Sequence, residues 1–409
     1  MISAQNHQPQ LSGNKLYLIV ILGLCLAACS PKIQPRVKPA VSEVKEKKEP
    51  APVSKIKEAS VSLLIPFNLN EFDLRSADKQ DIEKAAMAIN FYQGVKLGID
   101  SAAASGMNFK LQVYDTQDDQ KKLSLLLENN AMAGSNLVIG PVFPEGIKYM
   151  TPFAIKYNIP FVSPLAASKP EEFHNPNLIS VVNNIDLHAA KIGNYIAAKY
   201  LPENTIVVLI NPKKTDDEIL GAPLRDYFSG SKGSKFTFQE YASVYSLETK
   251  IIKDKKYVVL ISSSDRTFVT ATLDKLVKMK KAGLLIDLFG HPNWIKQNYP
   301  TDKLQALNTF ITSSYKVDYK NVAVISFVKK YRKAFGFEPD EYSFKGFDTG
   351  FYFGKLLSKY GADFMKHLTR ESYKGLHNSF SFVYNERNGY INTSLMLLKY
   401  RDYALYLVQ

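Results

Sequence analysis

Hydrophobic positions in this chain follow two alternating patterns from about residue 60 onward. Four short runs are apolar and rich in β-branched residues: Ser60 to Phe67, Lys110 to Thr116, Leu137 to Pro141 and Ile159 to Leu165. Such runs predict parallel strands buried on both faces. Between the first two, Ile82, Ala85, Ile89, Tyr92, Val95 and Ile99 recur at three- and four-residue steps, which places them on one face of a helix. Helical stretches at Lys121 to Ala133 and Glu145 to Tyr157 come next. Strand and helix in alternation predict a doubly wound parallel sheet. The pattern restarts after Asn177 to Asp186, with strands expected at Thr205 to Asn211, Lys235 to Tyr241, Lys256 to Ser264, Leu285 to His291 and Asn308 to Ser314. A helix from Asp265 through Ala282 separates two of these. About 350 residues exceed what one compact core holds, so two α/β lobes are expected, sharing architecture and not sequence.

Ahead of the body, the apolar run Leu16 to Leu26 follows Lys15. It is shorter than the roughly 20 residues that cross a bilayer, and reads as the core of a signal peptide. Leu26-Ala27-Ala28-Cys29 then resembles a bacterial lipobox. Residues 1–28 are accordingly expected to be a lipoprotein signal peptide, and Cys29 the lipidated first residue. Residues 29–58 mix proline with alternating charge and few large apolar side chains. Such a segment cannot bury enough surface to fold and is expected to act as a spacer.

Composition removes several chemistries. The chain has two cysteines, Cys25 and Cys29, so the body has no disulfide, thiolate metal site or cysteine nucleophile. A net charge of +13 would suit nucleic acid, but an exported chain does not meet it, and no basic stripe with interleaved aromatics occurs. Gly350 to Lys355 (GFYFGK) is one residue short of a phosphate-binding loop and reads as a helix turn. Phe347 to Gly350 (FDTG) carries the Asp-Thr-Gly of aspartic proteases, yet the apolar spacing continues through Tyr352, Leu356 and Leu357. Asp348 is therefore expected to start a helix and satisfy its free amides. The six histidines form no zinc motif, and no nucleophile elbow or dinucleotide fingerprint is present. No catalytic residue, metal or cofactor is expected; the chain reads as a binding protein or an interaction module.

The order of segments resembles the type I periplasmic binding proteins, typified by leucine/isoleucine/valine receptors. The resemblance rests on Phe91 to Asp100 (FYQGVKLGID), Val113 to Asp119 (VYDTQDD), Leu137 to Gly146 (LVIGPVFPEG), Tyr157 to Ser168 (YNIPFVSPLAAS) and Tyr342 to Leu357 (YSFKGFDTGFYFGKLL). It implies two doubly wound parallel-sheet lobes joined by a three-crossing hinge and closing over a ligand at the carboxyl ends of the strands. Lobe one would comprise 59–184 with 315–374, and lobe two 185–314 with 375–409. Ligand-binding candidates are Phe67, Asn68, Pro141, Glu145, Ser163, Ala167, Ser168, Asn293 and Trp294. Hinge candidates are Asn183, Asn184 and Ser314. Trp294 could equally be a lobe-packing indole or a stacking surface.

Departures from the family pattern bear on the ligand. Pro144 and Glu145 stand where amino-acid receptors carry hydroxyls, and Gly290 to Trp294 (GHPNW) offers no acid for an ammonium group. A free amino acid would bring its carboxylate to Glu145, which like-charge repulsion disfavours. The sequence is also similar to lipoproteins of this fold that are joined to peptidoglycan-binding modules, and to penicillin-binding-protein activators. Two functions are thus implied. One is a lipid-anchored extracytoplasmic solute receptor of the bacterial cell envelope, working with an ABC permease. The other is a non-enzymatic regulator of a cell-wall synthase. Its partners would be a small molecule, a peptide or a wall fragment, and the membrane through the anchor.

Overall fold

A computed structural model describes residues 56–68 and 79–408. The expected signal peptide, Cys29 and nearly all of the linker lie outside the described residues. Among the described residues fifteen strands form two sheets. The first holds β1 (Glu58–Ile65), β2 (Asn108–Asp115), β3 (Leu137–Ile139), β4 (Phe161–Ser163) and β5 (Leu178–Ser180), with β11 (Ser372–Lys374), β12 (Ser379–Asn385) and β13 (Gly389–Asn392). Its spatial order is β11-β12-β13-β5-β4-β3-β1-β2. The second holds β6 (Thr205–Ile210), β7 (Thr237–Tyr241), β8 (Lys256–Ile261), β9 (Leu285–Phe289) and β10 (Phe310–Ser313), with β14 (Met396–Arg401) and β15 (Ala404–Leu407). Here the order is β15-β14-β10-β9-β8-β6-β7. Strands β1 to β5 pair in parallel, as do β6 to β10, and antiparallel strands finish one edge of each sheet. Every strand expected in the two α/β repeats is present, with its central residues buried wherever both faces are covered, as at Val61, Leu63, Val208 and Val259.

Each lobe closes its own core. Val61, Phe91, Val95, Ile139, Phe353 and Phe380 belong to one cluster in the first lobe. Val208, Val259, Leu273, Trp294 and Ile311 belong to another in the second. The helices Lys79–Ala103 and Glu341–Tyr360 pack against each other in the first lobe through Gly94, Gly98, Gly346 and Gly350, whose absent side chains let backbone meet backbone.

Two expectations are corrected. The lobe border between residues 374 and 375 does not follow the sheets: β12 and β13 join the first sheet, where Tyr390 and Ile391 pair in parallel with Ile179 and Ser180 of β5. The third crossing therefore falls between Asn392 and Met396. Asp348 does not begin a helix either. That helix starts at Glu341 behind Asp340, which accepts the Ser343 amide while the Ser343 hydroxyl receives the Asp340 amide. This capping box sets the start upstream of Asp348. Asp348 lies two turns inside, fully buried, and accepts the amides of Leu376, His377 and Asn378 at 2.8–2.9 Å and the Tyr373 hydroxyl at 3.1 Å.

Candidate functional site

The crossings orient the candidate site residues. The chain leaves the first sheet from the carboxyl end of β5, returns from the carboxyl end of β10, and leaves again after β13, which runs parallel to β5. Parallel strands share one end, so the loops after β1, β3, β4 and β5 gather on the face of the first lobe from which the crossings depart. In the second lobe, the loops after β6, β8 and β9 gather beside the crossing that follows β10.

In the first lobe, the amides of Phe67 and Asn68 both donate to Asp115 Oδ1, at 2.9 and 3.3 Å, and Gln117 donates to the same oxygen. This carboxylate ties the loops after β1 and β2. The Phe67 ring meets Tyr92 edge-on at 5.9 Å. Asn68 has a positive φ, and its Oδ1 is buried without a partner among the described residues. Pro141 is buried behind Gly140, whose φ of +94° and close approach to the Leu64 carbonyl admit no side chain. Glu145 is exposed in the first turn of the helix Pro144–Lys156, where its charge complements the helix dipole. Ser163 is buried at the end of β4, Ala167 is exposed and Ser168 half-buried.

The second lobe contributes less of what was expected. Asn293 is exposed, and its amide donates to His291 Nδ1 at 3.0 Å. Trp294 is fully buried; its Nε1 donates to the Ser263 carbonyl at 2.9 Å and its ring packs on Tyr299 and on Gly290. It is the lobe-packing indole, not a stacking surface. In the tight turn Pro292–Lys296, Pro292 and Trp294 are buried while Asn293 between them is exposed.

The hinge candidates sit in a hydrogen-bonded knot. Asn183 Nδ2 donates to the Asn392 carbonyl at 2.7 Å, while Asn392 Nδ2 donates to Val181 at 2.9 Å and to Ser379 at 3.0 Å. First and third crossings are thereby joined. Asn184 caps the helix Ile185–Lys199 by accepting the Leu187 amide. Ser314 is buried next to Ser313, whose hydroxyl donates to the Tyr315 carbonyl.

Sequence reading missed a charged cluster on the second crossing. Lys345 is nearly buried among Tyr315, Tyr342 and Glu341. Burial holds its ammonium below the usual lysine range despite Glu341. Burial alone would raise Glu341, but Lys345 and Lys296 together bring it below the usual carboxylate range. The available signal was the Glu341/Lys345 spacing of four residues, which is common on solvated faces.

Three buried histidines border this region. His188 Nδ1 meets Thr312 Oγ1 at 2.8 Å, His291 lies close to it, and His377 stacks on Tyr315. Burial lowers them to about 3, about 4 and about 4, respectively. The unfolded chain thus binds more protons between pH ~6.5 and ~4, and stability falls as pH falls through that window. Urea midpoints at pH 7.5 and 5 are expected to show the drop, and His188→Gln to make it shallower.

No family model and no curated protein matches the chain in sequence. Solved structures are similar. A putative branched-chain amino acid ABC transporter protein from Rhodospirillum rubrum superimposes with a TM-score of 0.62 at 12% identity, over 86% of this chain and all of that one. The fold is that of the type I periplasmic binding proteins. An ABC transporter substrate-binding protein from Sphaerobacter thermophilus gives 0.55 at 14% identity, over 86% and 97% of the two chains. Full-length LpoA from Haemophilus influenzae gives 0.57 at 13% identity, over 87% of this chain and 60% of LpoA. Among the described residues no helix is long and apolar enough to cross a membrane.

Proposed function

We propose that this chain is a lipid-anchored, extracytoplasmic binding protein of the bacterial envelope whose lobes close over a solute other than a free amino acid. The observation that carries this reading is the pair of separate cores: Phe91, Phe353 and Phe380 lie in one lobe and Leu273, Trp294 and Ile311 in the other. Turning one lobe against the other then exposes little apolar surface, which makes such motion the default. Asn183, Asn184 and Ser314 would absorb the rotation, with lobe borders near residues 184, 314 and 394. Phe67, Asn68, Pro141, Glu145, Ser163, Ala167, Ser168 and Asn293 are the proposed cleft residues. Glu145, exposed where a ligand carboxylate would otherwise dock, argues against amino acids.

In this reading the protein acts without catalysis or cofactor and delivers its ligand to an ABC permease. A second reading, regulation of a cell-wall synthase, follows the resemblance of the sequence to penicillin-binding-protein activators, and the fold is shared with LpoA from Haemophilus influenzae. Mass spectrometry of the purified, then denatured, chain tests the first reading. A retained small molecule is expected, and the twenty standard amino acids are expected not to raise the melting temperature; stabilisation by one of them would contradict the ligand assignment. For the anchor, Cys29→Ala is expected to leave the melt unchanged and to release the protein from membranes. Equal incorporation of labelled fatty acid by wild type and variant would contradict it.

A further inference from the structure

Three charged side chains meet where the second crossing passes between the lobes. Lys296 ends the turn after β9 and belongs to the second lobe, whereas Glu341 and Lys345 lie one turn apart in the helix Glu341–Tyr360 of the first. Lys296 Nζ is 3.2 Å from Glu341 Oε1, and Lys345 Nζ is 3.5 Å from the same oxygen. Both ammonium groups also face the Tyr315 ring, at 5.9 and 4.8 Å from its centroid. Tyr315 is held in turn, stacked on His377 with ring centroids 4.5 Å apart. Asp340, the nearest other carboxylate on that helix, is taken up by Asn90 and Ser343.

The three partners are unequally exposed. Lys345 keeps 13% of its side-chain surface, Glu341 31% and Lys296 53%. A buried ammonium requires a fixed counter-charge, so Lys345 holds Glu341 in place whether or not Lys296 is present. Lys296 therefore docks on an acceptor that is already ordered, and loses less entropy than an ordinary surface pair does. A second pair joins the lobes at the first crossing, Lys169 with Asp186 at 2.7 Å. Both of its side chains are close to half exposed, at 50% and 43%, and no buried lysine among the described residues pairs with it.

We infer that Glu341, fixed by Lys345 and Tyr315 on the first lobe, is a latch that sets the angle between the lobes by capturing Lys296 of the second. The inference rests on the reading that the lobes move, and it gives that motion its resting position: a ligand that changes the angle has to release Lys296.

Paired spin labels on keto-bearing amino acids placed at exposed Lys148 and Lys214 of the full chain, one per lobe, measure the inter-lobe distance. Lys296→Met is expected to shift the ratio of molecules at the wild-type separation to those at other separations by about fivefold. Lys169→Met should shift it much less. In wild type, 1 M NaCl should move the distribution toward that of Lys296→Met, and should leave the variant unmoved. Glu341→Gln should repeat the shift and also lower the melting temperature, because it strands Lys345. A wild-type distribution retained in Lys296→Met and unmoved by salt would overturn the latch. Variants that shift while no ligand moves them would leave the latch standing and count against the receptor reading.

Discussion

Gly346→Ala is expected to destabilise the protein by about 3 kcal/mol, near the upper end of the range for overpacking. A Cβ at this position would stand 2.2 Å from the Phe91 carbonyl oxygen and 2.9 Å from the Val95 nitrogen. On the facing helix, a Cβ at Gly94 would stand 2.1 Å from the Ser343 carbonyl oxygen. These are backbone atoms, so no side chain can turn aside and the two helices must part. Parting them opens gaps beside Phe91, Val95 and Phe353, at the centre of the first core, where lost contacts add to the strain. Urea unfolding of Gly346→Ala beside Gly134→Ala, where a Cβ meets nothing within 4 Å, checks this. The second variant should match wild type; a Gly346→Ala midpoint equal to wild type would mean that the helices are not in this contact.

Asp348→Asn is expected to cost a similar amount, about 3 kcal/mol, although it keeps the shape of the side chain. Oδ1 accepts the Tyr373 hydroxyl and the Leu376 amide, while Oδ2 accepts the amides of His377 and Asn378. An amide nitrogen in place of Oδ2 would face two N–H donors, and in place of Oδ1 it would face the Leu376 N–H beside a Tyr373 hydroxyl that can turn to accept, so either orientation leaves at least one buried N–H without an acceptor. Tyr373→Phe removes one of the four bonds and should cost about 1 kcal/mol. The damage should also be local: the turn 375–378 carries His377, on which Tyr315 stacks. Hydrogen exchange at the amides of 376–378 should accelerate in Asp348→Asn beyond its global loss of stability. Unchanged exchange there would mean that Asp348 does not anchor the second crossing.

Much of the fold was legible because buried parallel strands announce themselves as β-branched runs, and because the helix Lys79–Ala103 carries its apolar residues at a regular step. The segments Phe91 to Asp100 and Tyr342 to Leu357 supported the family resemblance for a physical reason now visible: their glycines pack one helix on the other. Other features depend on partners distant in sequence. Phe380 and Phe382 alternate with polar residues in β12, a pattern that fits either sheet, and only the pairing of Tyr390 with Ile179 decides which one. Asp348 finds its donors 25 to 30 residues downstream. Lys296 reaches Glu341 across 45 residues and between lobes. Trp294 was ambiguous because an aromatic in a tight turn can face either way, and one residue of phase decides it.

Small-angle scattering of the full chain, recorded alone and with sugars, peptides, nucleosides and wall fragments in turn, tests the central claim most directly. A ligand that favours one lobe arrangement must shift the population toward it. Contraction of the radius of gyration with one small ligand, and no change with free amino acids, is the predicted result. An unchanged profile with every ligand, together with binding of a cell-wall synthase to the rigid chain, would contradict the receptor reading.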